Sequence, residues 1–377
     1  MRDSGVPRMA KESVAAELAR ALDAEPLFHM SLGSKELFHS NFIAWFARKY
    51  ADEACAVLGP WAGAASSGDQ HRVGREEGDL DLVIELPGHN PLVVENKVFS
   101  MPDERQLERY AQGPVAKMKR RPALVLLSLA NPGWKEDEYR GLHGTWRHVG
   151  YDSLRRALLG CVGRLRRSEP YDADTVQHYC ELVRLLVELK DLVAIHDNGE
   201  LIPLSAEAAV ELARVRVADH AQKLRMHQIG ARLRALLTAE VDDVEIRCDY
   251  TSGGPLIDAF VPFKGGNRVG WQYQGGQFRL AIVLESLAGR GPDAKKRREV
   301  CARGYDGWFD FSRFHAVLGT TDETTIPRRA RDGFCHYDPT FVYRYRKPSS
   351  MTVGQLLDLG VVYVQAAREF AASQATN

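Results

Sequence analysis

Two alternating stretches, Gly78-Asp-Leu-Asp-Leu-Val-Ile-Glu85 and Pro91-Leu-Val-Val-Glu-Asn-Lys97, indicate how this chain folds. Successive side chains of a β-strand point to opposite faces, so the alternation of polar and apolar residues predicts one strand in each stretch. The intervening residues, Pro87-Gly-His-Asn90, are typical of a turn. We therefore expect a β-hairpin whose two strands lie side by side in a small sheet.

Charged side chains gather at one end of this hairpin. Asp81 begins the apolar run of the first strand, while Glu95 and Lys97 share one face at the end of the second strand. Taken alone, each acid would be interpreted as a strand-end residue that faces solvent. Two carboxylates and an ammonium at one sheet edge instead favour a site for a hard metal ion.

Such a site suits phosphodiester hydrolysis, which needs a nucleophilic water, neutralisation of the phosphate charge and help for the leaving oxygen. Mg²⁺ or Mn²⁺ held by a few carboxylates supplies all three. Asp81 and Glu95 would be the main ligands, and the carbonyl of Asn96 would be a third. Lys97 would orient the attacking water or stabilise the developing negative charge.

Two neighbouring helices add candidate residues. One helix is expected to begin at Ser34 and carries Glu36, which could ligate the metal, hold a metal-bound water, or act as a first-turn acid favoured by the helix dipole. The other helix, over 103–115, places Gln106 and Tyr110 on one face through their i, i+4 spacing. These two side chains could position the scissile phosphate, or they could be ordinary residues of a helix surface.

The combination resembles the PD-(D/E)xK nuclease superfamily. The residues that carry the resemblance are Asp81, Glu95, Lys97 and the spaced pair Gln106-x-x-x-Tyr110. In addition, the segment from Glu36 to Phe42 looks like the first-helix motif of the branch with an E-N-K core. That branch is often found among uncharacterised or phage-defence-associated proteins.

The resemblance implies a restriction-endonuclease-like core, a divalent metal ion and cleavage of DNA. It covers roughly residues 30–150, extends towards 200, and says nothing about residues 240–377. One departure is that the stretch before the apolar run offers two aspartates, Asp79 and Asp81, which period two would place on the same face. Asp81 fits the pattern better because it begins the apolar run.

The overall charge gives no steering towards nucleic acid. Lys+Arg and Asp+Glu each number 50 among 377 residues, so the formal net charge is zero and any contact with nucleic acid needs a local basic patch. The best candidate is the run that follows the Gln106 helix. Its members are Lys117, Lys119, Arg120 and Arg121, which could contact backbone phosphates or form a solvated face.

Several observations bear on the compartment and the partners. The six cysteines have no CxxC spacing, which argues against a zinc ribbon and a disulfide framework. The N-terminus lacks the apolar region of a signal peptide, and the longest apolar run, 123–130, is too short to span a bilayer. We therefore expect a soluble, cytoplasmic protein with DNA as partner and no membrane association. A homo-oligomer would let two sites cut both strands of a duplex.

The order of expected elements is typical of a mixed α/β core followed by other material. We expect a nuclease-like α/β domain over 1–200, a long connecting helix over 201–240, and a C-terminal α+β module over 241–377. Residues 60–78 are expected to form a loop, and strands are expected near 306–318. The C-terminal module would bind substrate, a regulatory partner or a ligand, or mediate oligomerisation.

Aromatic and basic residues alternate in Phe341-Val-Tyr-Arg-Tyr-Arg-Lys347. On a strand, Phe341, Tyr343 and Tyr345 would share one face, while Arg344 and Arg346 would share the other. The rings could stack on bases. A strand with one core face and one wet face explains the same pattern, and we prefer that interpretation.

Two other functions compete with DNA cleavage. The chain could bind nucleic acid or a protein partner through a nuclease-like scaffold without catalysis, or it could cleave RNA. A Ser–His nucleophile pair is not expected, because His39 and Ser40 are adjacent on a helix and their side chains diverge. Binding of Mn²⁺ separates catalysis from scaffolding, and a comparison of substrates separates DNA from RNA.

Overall fold

The computed structural model describes residues 8–64, 70–237, 244–251, 254–319 and 333–375. Contacts divide the chain into two compact units. The first contains Met1–Ala194 with Ser205–Leu224, and the second contains Ile195–Leu204 with Arg225–Asn377. Within the described residues, each unit contains one six-stranded sheet.

The first unit is rich in helices. They are α1 (Arg8–Ala24), α2 (Pro26–Ser34), α3 (Glu36–Lys49), α4 (Ala51–Ala62), α5 (Glu104–Gln112), α6 (Tyr151–Ser168), α7 (Pro170–Leu192) and α8 (Ala206–Arg214). A further helix, α9 (Ala218–Leu237), begins in the first unit and ends in the second. None of the described helices is long and apolar enough to cross a membrane.

The sheet of the first unit mixes parallel and antiparallel pairs. Its strands are β1 (Arg72–Glu77), β2 (Leu80–Glu85), β3 (Leu92–Lys97), β4 (Ala123–Ser128), β5 (Glu138–Arg140) and β6 (Thr145–Gly150). They lie in the order β1-β2-β3-β4-β6-β5. The pairs β3–β4 and β4–β6 are parallel, and the other three pairs are antiparallel. The expected α/β fold with a mixed central sheet is therefore confirmed.

Helices contact this sheet from two sides. Helix α5 packs Leu107 and Ala111 against Val83 and Val93, which share the face expected for Asp81 and Glu95. Helices α3, α4 and α6 also contact the sheet. The hairpin strands are thus covered on both faces, which explains why their side chains are mostly buried.

The second unit holds an antiparallel sheet. Its strands are β7 (Glu245–Thr251), β8 (Gly254–Phe263), β9 (Asn267–Gln274), β10 (Gln277–Val283), β11 (Cys335–Tyr337) and β12 (Phe341–Arg346), in the order β11-β12-β10-β9-β8-β7. The helices are α10 (Pro292–Arg303), α11 (Ser312–Leu318) and α12 (Val353–Ala375). Helix α12 packs on the sheet, where Tyr363 joins Trp271 and Phe278 in the core.

Ser34 does not begin the helix that carries Glu36, contrary to expectation. Pro26 starts α2 at its first turn, and the Glu25 side chain caps it by accepting the N–H of Leu27 at 3.1 Å. That helix runs through Ser34. Lys35, at φ 46°, then separates α2 from α3.

The expected loop over 60–78 contains regular structure at both ends. Helix α4 extends to Ala62, and β1 begins at Arg72; residues 65–69 lie outside the described part of the chain. Strand β1 lies at the sheet edge and is mostly polar, as edge strands often are. Because it lacks an apolar run, its sequence did not indicate a strand.

Two other expected elements were also wrong. The single connecting helix expected over 201–240 is broken between α8 and α9, where Arg216 has φ 60°. The strands expected near 306–318 are a short 3₁₀ helix, Asp306–Phe309, followed by α11. Trp308, Phe311 and Phe314 recur every three residues and are buried, so their spacing was helical although aromatic residues favour strands.

Candidate active site

The hairpin register brings the two acids face to face. Strands β2 and β3 pair Leu82 with Val94, and one further step along this register places Asp81 opposite Glu95. The two carboxyl groups are close enough for each to affect the pKa of the other. The structure therefore brings together the pair that the sequence singled out.

Asp79 does not share this face, contrary to the expectation from period two. Strands β1 and β2 form a hairpin in which Glu77 pairs with Leu80, leaving Gly78 and Asp79 as a two-residue turn. Both turn residues have positive φ, 60° and 70°, as a type I′ turn requires. Asp79 is exposed in this turn, so Asp81 is the acid at the site.

Glu95 and Lys97 form a buried ion pair on the same face. The Lys97 Nζ lies 2.8 Å from Glu95 Oε1, and the Glu95 side chain is only 2% exposed. The second carboxylate oxygen, Oε2, is buried and has no hydrogen-bond partner among the residues that the structure describes. An unpartnered buried oxygen is unfavourable unless something else occupies it.

Burial shapes the charges of this cluster. Loss of water raises the pKa of Glu95 to about 7, and the attraction of Lys97 offsets this only in part. Burial also raises the pKa of Asp81. For Lys97, burial opposes the charged form, but the attraction of Glu95, Asp81 and Glu36 together outweighs burial and raises the pKa of Lys97. Lys97 is therefore the stable positive charge of the site.

The Asn96 side chain lies on the face of the sheet opposite to the side chains of Glu95 and Lys97. Its side-chain amide donates to the Glu36 carbonyl and to Ser40 Oγ, each at 3.0 Å, and its Oδ1 accepts the Tyr151 hydroxyl. The amide oxygen is thus engaged in packing rather than directed to the acids, while the Asn96 N–H donates to Asp81 Oδ2 at 2.8 Å.

The main-chain carbonyl of Asn96 is placed differently from its side chain. Alternate residues of a strand direct their N–H and C=O groups to opposite neighbours. The Lys97 carbonyl accepts from Leu129 on the β4 side. The Asn96 carbonyl is therefore on the β2 side, where Asp81 lies, and this is the carbonyl that could serve as a third oxygen donor.

The Glu36 side chain binds the main chain of the segment that follows β3. Its Oε1 accepts the N–H of Phe99 at 2.9 Å and the N–H of Ser100 at 2.5 Å. Burial works against its charged form, yet these hydrogen bonds outweigh burial and lower its pKa. Glu36 is thus an ionised acid that fixes the segment just after Lys97.

Gln106 and Tyr110 share one face of α5, as their spacing predicts. Gln106 Nε2 donates to the Tyr110 hydroxyl at 2.6 Å. Burial raises the pKa of Tyr110, and the charges of Glu95, Lys97 and Asp81 also act on it. Tyr110 therefore lies within the electrostatic influence of the acids, on the helix that covers their face of the sheet.

The basic run after α5 does not gather around the acids as a group. Arg120 donates to the His89 carbonyl at 3.1 Å and lies 3.9 Å from Glu85, at the end of the hairpin away from Asp81. Lys119 and Arg121 are exposed beside it in sequence. Lys117 instead lines a cleft of about 460 Å³ that includes Asp79 and Leu80, next to Asp81 in the chain.

The side chains available as metal ligands are few. Among residues that the structure describes, no group of three or more His, Cys, Asp and Glu side chains could hold a metal ion. The donors are two carboxylates, from Asp81 and Glu95, and one main-chain carbonyl. All are oxygens, which suits a hard divalent cation.

Sequence reasoning missed the supports behind the site. Tyr151, the first residue of α6, and Tyr179 in α7 are buried around His39, whose Nδ1 lies 3.1 Å from the Tyr179 hydroxyl. His39 and Ser40 have separate partners and do not pair with each other, as expected. No local pattern indicated Tyr151, because its partner Asn96 lies 55 residues earlier in the chain.

Comparison with protein families matches residues 27–181 to the PD-(D/E)XK nuclease superfamily. Comparison with curated proteins and with solved structures gives no significant match. The match over residues 27–181 agrees with the resemblance to this superfamily that Asp81, Glu95 and Lys97 carry. The matched range contains the whole of the site and ends within α7.

Proposed function

We propose that this PD-(D/E)XK domain hydrolyses phosphodiester bonds of DNA with the help of Mg²⁺ or Mn²⁺. The match of residues 27–181 to the superfamily suggests nuclease activity and, in general, use of a divalent metal. The observation that carries the proposal is the buried pair of acids, Asp81 and Glu95, with one unpartnered carboxylate oxygen beside a charged Lys97. Burial of such charges is unfavourable for folding, and clusters of this kind are typical of catalytic sites.

The residues present fit a hard divalent cation. The unpartnered Oε2 of Glu95 would be one donor, the Asp81 carboxylate a second, and the main-chain carbonyl of Asn96 a third. A bound Mg²⁺ or Mn²⁺ would neutralise phosphate charge and make a water molecule more acidic. Glu36 would position the segment after Lys97 and would not be a metal ligand, because its Oε1 already accepts two backbone N–H groups.

The remaining roles belong to the side chains around the acids. Lys97 has three N–H donors, so it can keep its contact with Glu95 and also donate to the attacking water or to a phosphate oxygen. Gln106 and Tyr110 would orient the scissile phosphate from α5. Lys117, in the cleft near Leu80, is the member of the basic run best placed to contact the DNA backbone.

Cleavage assays test this proposal. Plasmid and linear DNA would be incubated with the protein in Mg²⁺, Mn²⁺ or EDTA. We expect cleavage in either metal and none in EDTA. We expect Lys97→Ala and Asp81→Asn to lower the rate by at least about a hundredfold, because each removes a group that stabilises the transition state.

Asp79→Asn is the matched control for Asp81→Asn. It makes the same chemical change two residues away, and asparagine tolerates the positive φ of that turn position. The control should cleave at the wild-type rate. Full activity of both Lys97→Ala and Asp81→Asn would exclude this assignment of the site.

A second candidate function is nucleic-acid or partner binding without catalysis. The lack of a three-residue metal cluster among the described side chains favours it. Calorimetric titration with Mn²⁺ discriminates the two functions, since a scaffold would bind none. Cleavage of RNA in place of DNA is decided by giving the protein matched RNA and DNA substrates.

The biological setting is also part of the proposal. The branch that the Glu36 and E-N-K motifs resemble suggests phage defence, and two copies acting together would cut both strands of a duplex. Survival of phage-infected cells that produce the wild type, compared with cells that produce Lys97→Ala, tests the first point. Sedimentation of the protein with and without DNA tests the second.

A further inference from the structure

The first turns of α9 pack against the segment that follows Lys97. This part of α9, up to Leu224, belongs to the first unit. The buried His220 ring lies with its centre 5.0 Å from the centre of the Phe99 ring. Phe99 is also a residue whose N–H the Glu36 carboxylate accepts, at 2.9 Å. The beginning of α3, the segment after β3 and the beginning of α9 therefore meet at one place.

Two lysines reach this place from different elements. Lys223 follows His220 by three residues and so lies on the same side of α9, where it is half-buried. Lys35 directly precedes Glu36 and is exposed. Burial lowers the pKa of Lys223, and the positive charge of Lys35 lowers it further. The two lysines are thus close enough for the charge of one to act on the other.

The turn that contains Lys35 does not itself call for a lysine. Lys35 has φ 46° and ψ −117°, a conformation that residues with a side chain rarely adopt and that glycine adopts more easily. Its side chain forms no ion pair with any carboxylate that the structure describes. The Lys35 ammonium is therefore an exposed positive charge that an incoming anion could neutralise.

The same lysines lie near the edge of the sheet that carries the candidate site. Phe99 is two residues beyond Lys97, so its Cα is within about 7 Å of the Lys97 Cα. The charge of Glu36 acts on Lys97 and on Asp81, and it also acts on Lys223. A strand of DNA carries a phosphate about every 3.4 Å along the helix axis. A strand bound at the acids would therefore bring another phosphate near these lysines.

We propose that Lys35 and Lys223 form a second phosphate site, which holds a backbone phosphate of the nucleic acid close to the bond that is cleaved. The inference rests on the proposed function for its substrate. A phosphate bound between the two ammonium groups would relieve their repulsion, and lysine binds phosphate as a compact point charge. Glu36 would not compete strongly for the lysines, because its Oε1 already accepts two backbone N–H groups.

Binding of a short labelled DNA duplex, measured by fluorescence anisotropy in EDTA at several salt concentrations, tests this site. EDTA removes divalent metal, so the measurement does not depend on cleavage. We expect Lys35→Gln and Lys223→Gln each to weaken binding about three- to tenfold, because each removes a positive charge and keeps the length of the side chain. The double variant should lower the slope of log K against log salt by about one, since one phosphate contact is lost.

Two further variants serve as controls. Lys35→Arg keeps the positive charge and should bind DNA like the wild type. Lys296→Gln makes the same chemical change at an exposed position of α10, and it should also bind like the wild type. Wild-type affinity in the double variant Lys35→Gln/Lys223→Gln would overturn the proposal, and so would a wild-type protein that does not bind DNA.

Acylation of lysines in the wild-type protein keeps the proposal testable if a variant fails to fold. The protein would be treated with an amine-reactive ester with and without the duplex, and the modified lysines identified by mass spectrometry. We expect DNA to protect Lys35 and Lys223 but not Lys296. Equal modification of Lys35 and Lys223 in both samples would contradict the site.

The outcome for this site is separable from the outcome for the proposed function. Cleavage by the wild type together with wild-type affinity in the double variant would remove the second phosphate site and leave the nuclease proposal standing. Weakened binding in the variants together with no cleavage in Mg²⁺ or Mn²⁺ would do the reverse. The lysines would then belong to a protein that binds nucleic acid without cutting it.

Discussion

His39 is a buried residue whose charge should couple folding to pH. It is completely buried in the first unit, and burial lowers its pKa from 6.5 to about 3. The folded protein therefore keeps His39 neutral, while the unfolded chain takes up a proton below pH 6.5. The associated stability is present above the unfolded pKa of 6.5. It is lost as the pH falls towards the folded value.

Urea unfolding at pH 7 and pH 5 measures this effect. We expect the free energy of unfolding to fall by roughly 2 kcal/mol between these values on account of His39. His39→Gln cannot take up the proton, so its stability should change less over the same range. Equal pH dependence of the variant and the wild type would contradict the account of this residue.

The residues of the candidate site differ in how far the sequence alone could reveal them. Asp81, Glu95 and Lys97 were predictable because strand periodicity and a short turn determine their neighbours. The role of the Asn96 amide was not, since its partners come from α3 and α6, far away in the sequence. Long-range hydrogen bonds leave no local pattern, and this is why the supports of the site were missed.

At the scale of elements, the side chain of Asn96 links β3 to two helices through hydrogen bonds. Its buried side chain makes hydrogen bonds to Glu36 and Ser40 in α3 and to Tyr151 in α6. We expect Asn96→Ala to lower the free energy of unfolding by about 3 kcal/mol. It removes all three of these hydrogen bonds from a buried side chain.

Tyr151→Phe is the comparison for this prediction. It removes one of the three bonds, deprives Asn96 Oδ1 of its donor and leaves the two bonds to α3, so we expect a smaller loss of about 1–2 kcal/mol. Urea denaturation of both variants decides between the values. Equal losses in the two variants would contradict the role assigned to the bonds between β3 and α3.

The element boundaries show where sequence patterns carry information. The hairpin, β4 and α5 followed their apolar patterns closely. Strand β1 could not be predicted in this way, because it is polar and has no apolar pattern. The break between α8 and α9 could not be predicted either, because the apolar pattern continues through it. At the break, Val215 and Val217 are both buried, so apolar residues continue through a place where the helix ends.

At the scale of the whole molecule, the chain passes from the first unit to the second near residue 195 and returns to the first at residue 205. Ile195–Leu204 belongs to the second unit, while Ser205–Leu224 returns to the first. Leu212, Val217 and Leu224 are all buried. A fragment that ends at 200, the domain boundary expected from the sequence, would lose the burial that these side chains provide.

Thermal unfolding of two fragments tests this division. We expect residues 1–224 to unfold cooperatively. Residues 1–200 should be less stable by several kcal/mol, because each buried aliphatic side chain contributes about 1.5–3 kcal/mol. Equal melting temperatures of the two fragments would show that Ser205–Leu224 does not stabilise the first unit.

The central claim, that the buried acids hold a divalent metal for cleavage, is tested most directly by DNA cleavage in Mn²⁺ with Glu95→Gln beside the wild type. Glutamine keeps the size of the side chain but removes the charge from the unpartnered oxygen. We predict that wild-type protein cleaves DNA in Mn²⁺ and that the folded Glu95→Gln variant does not. Cleavage by the variant at the wild-type rate would contradict the account.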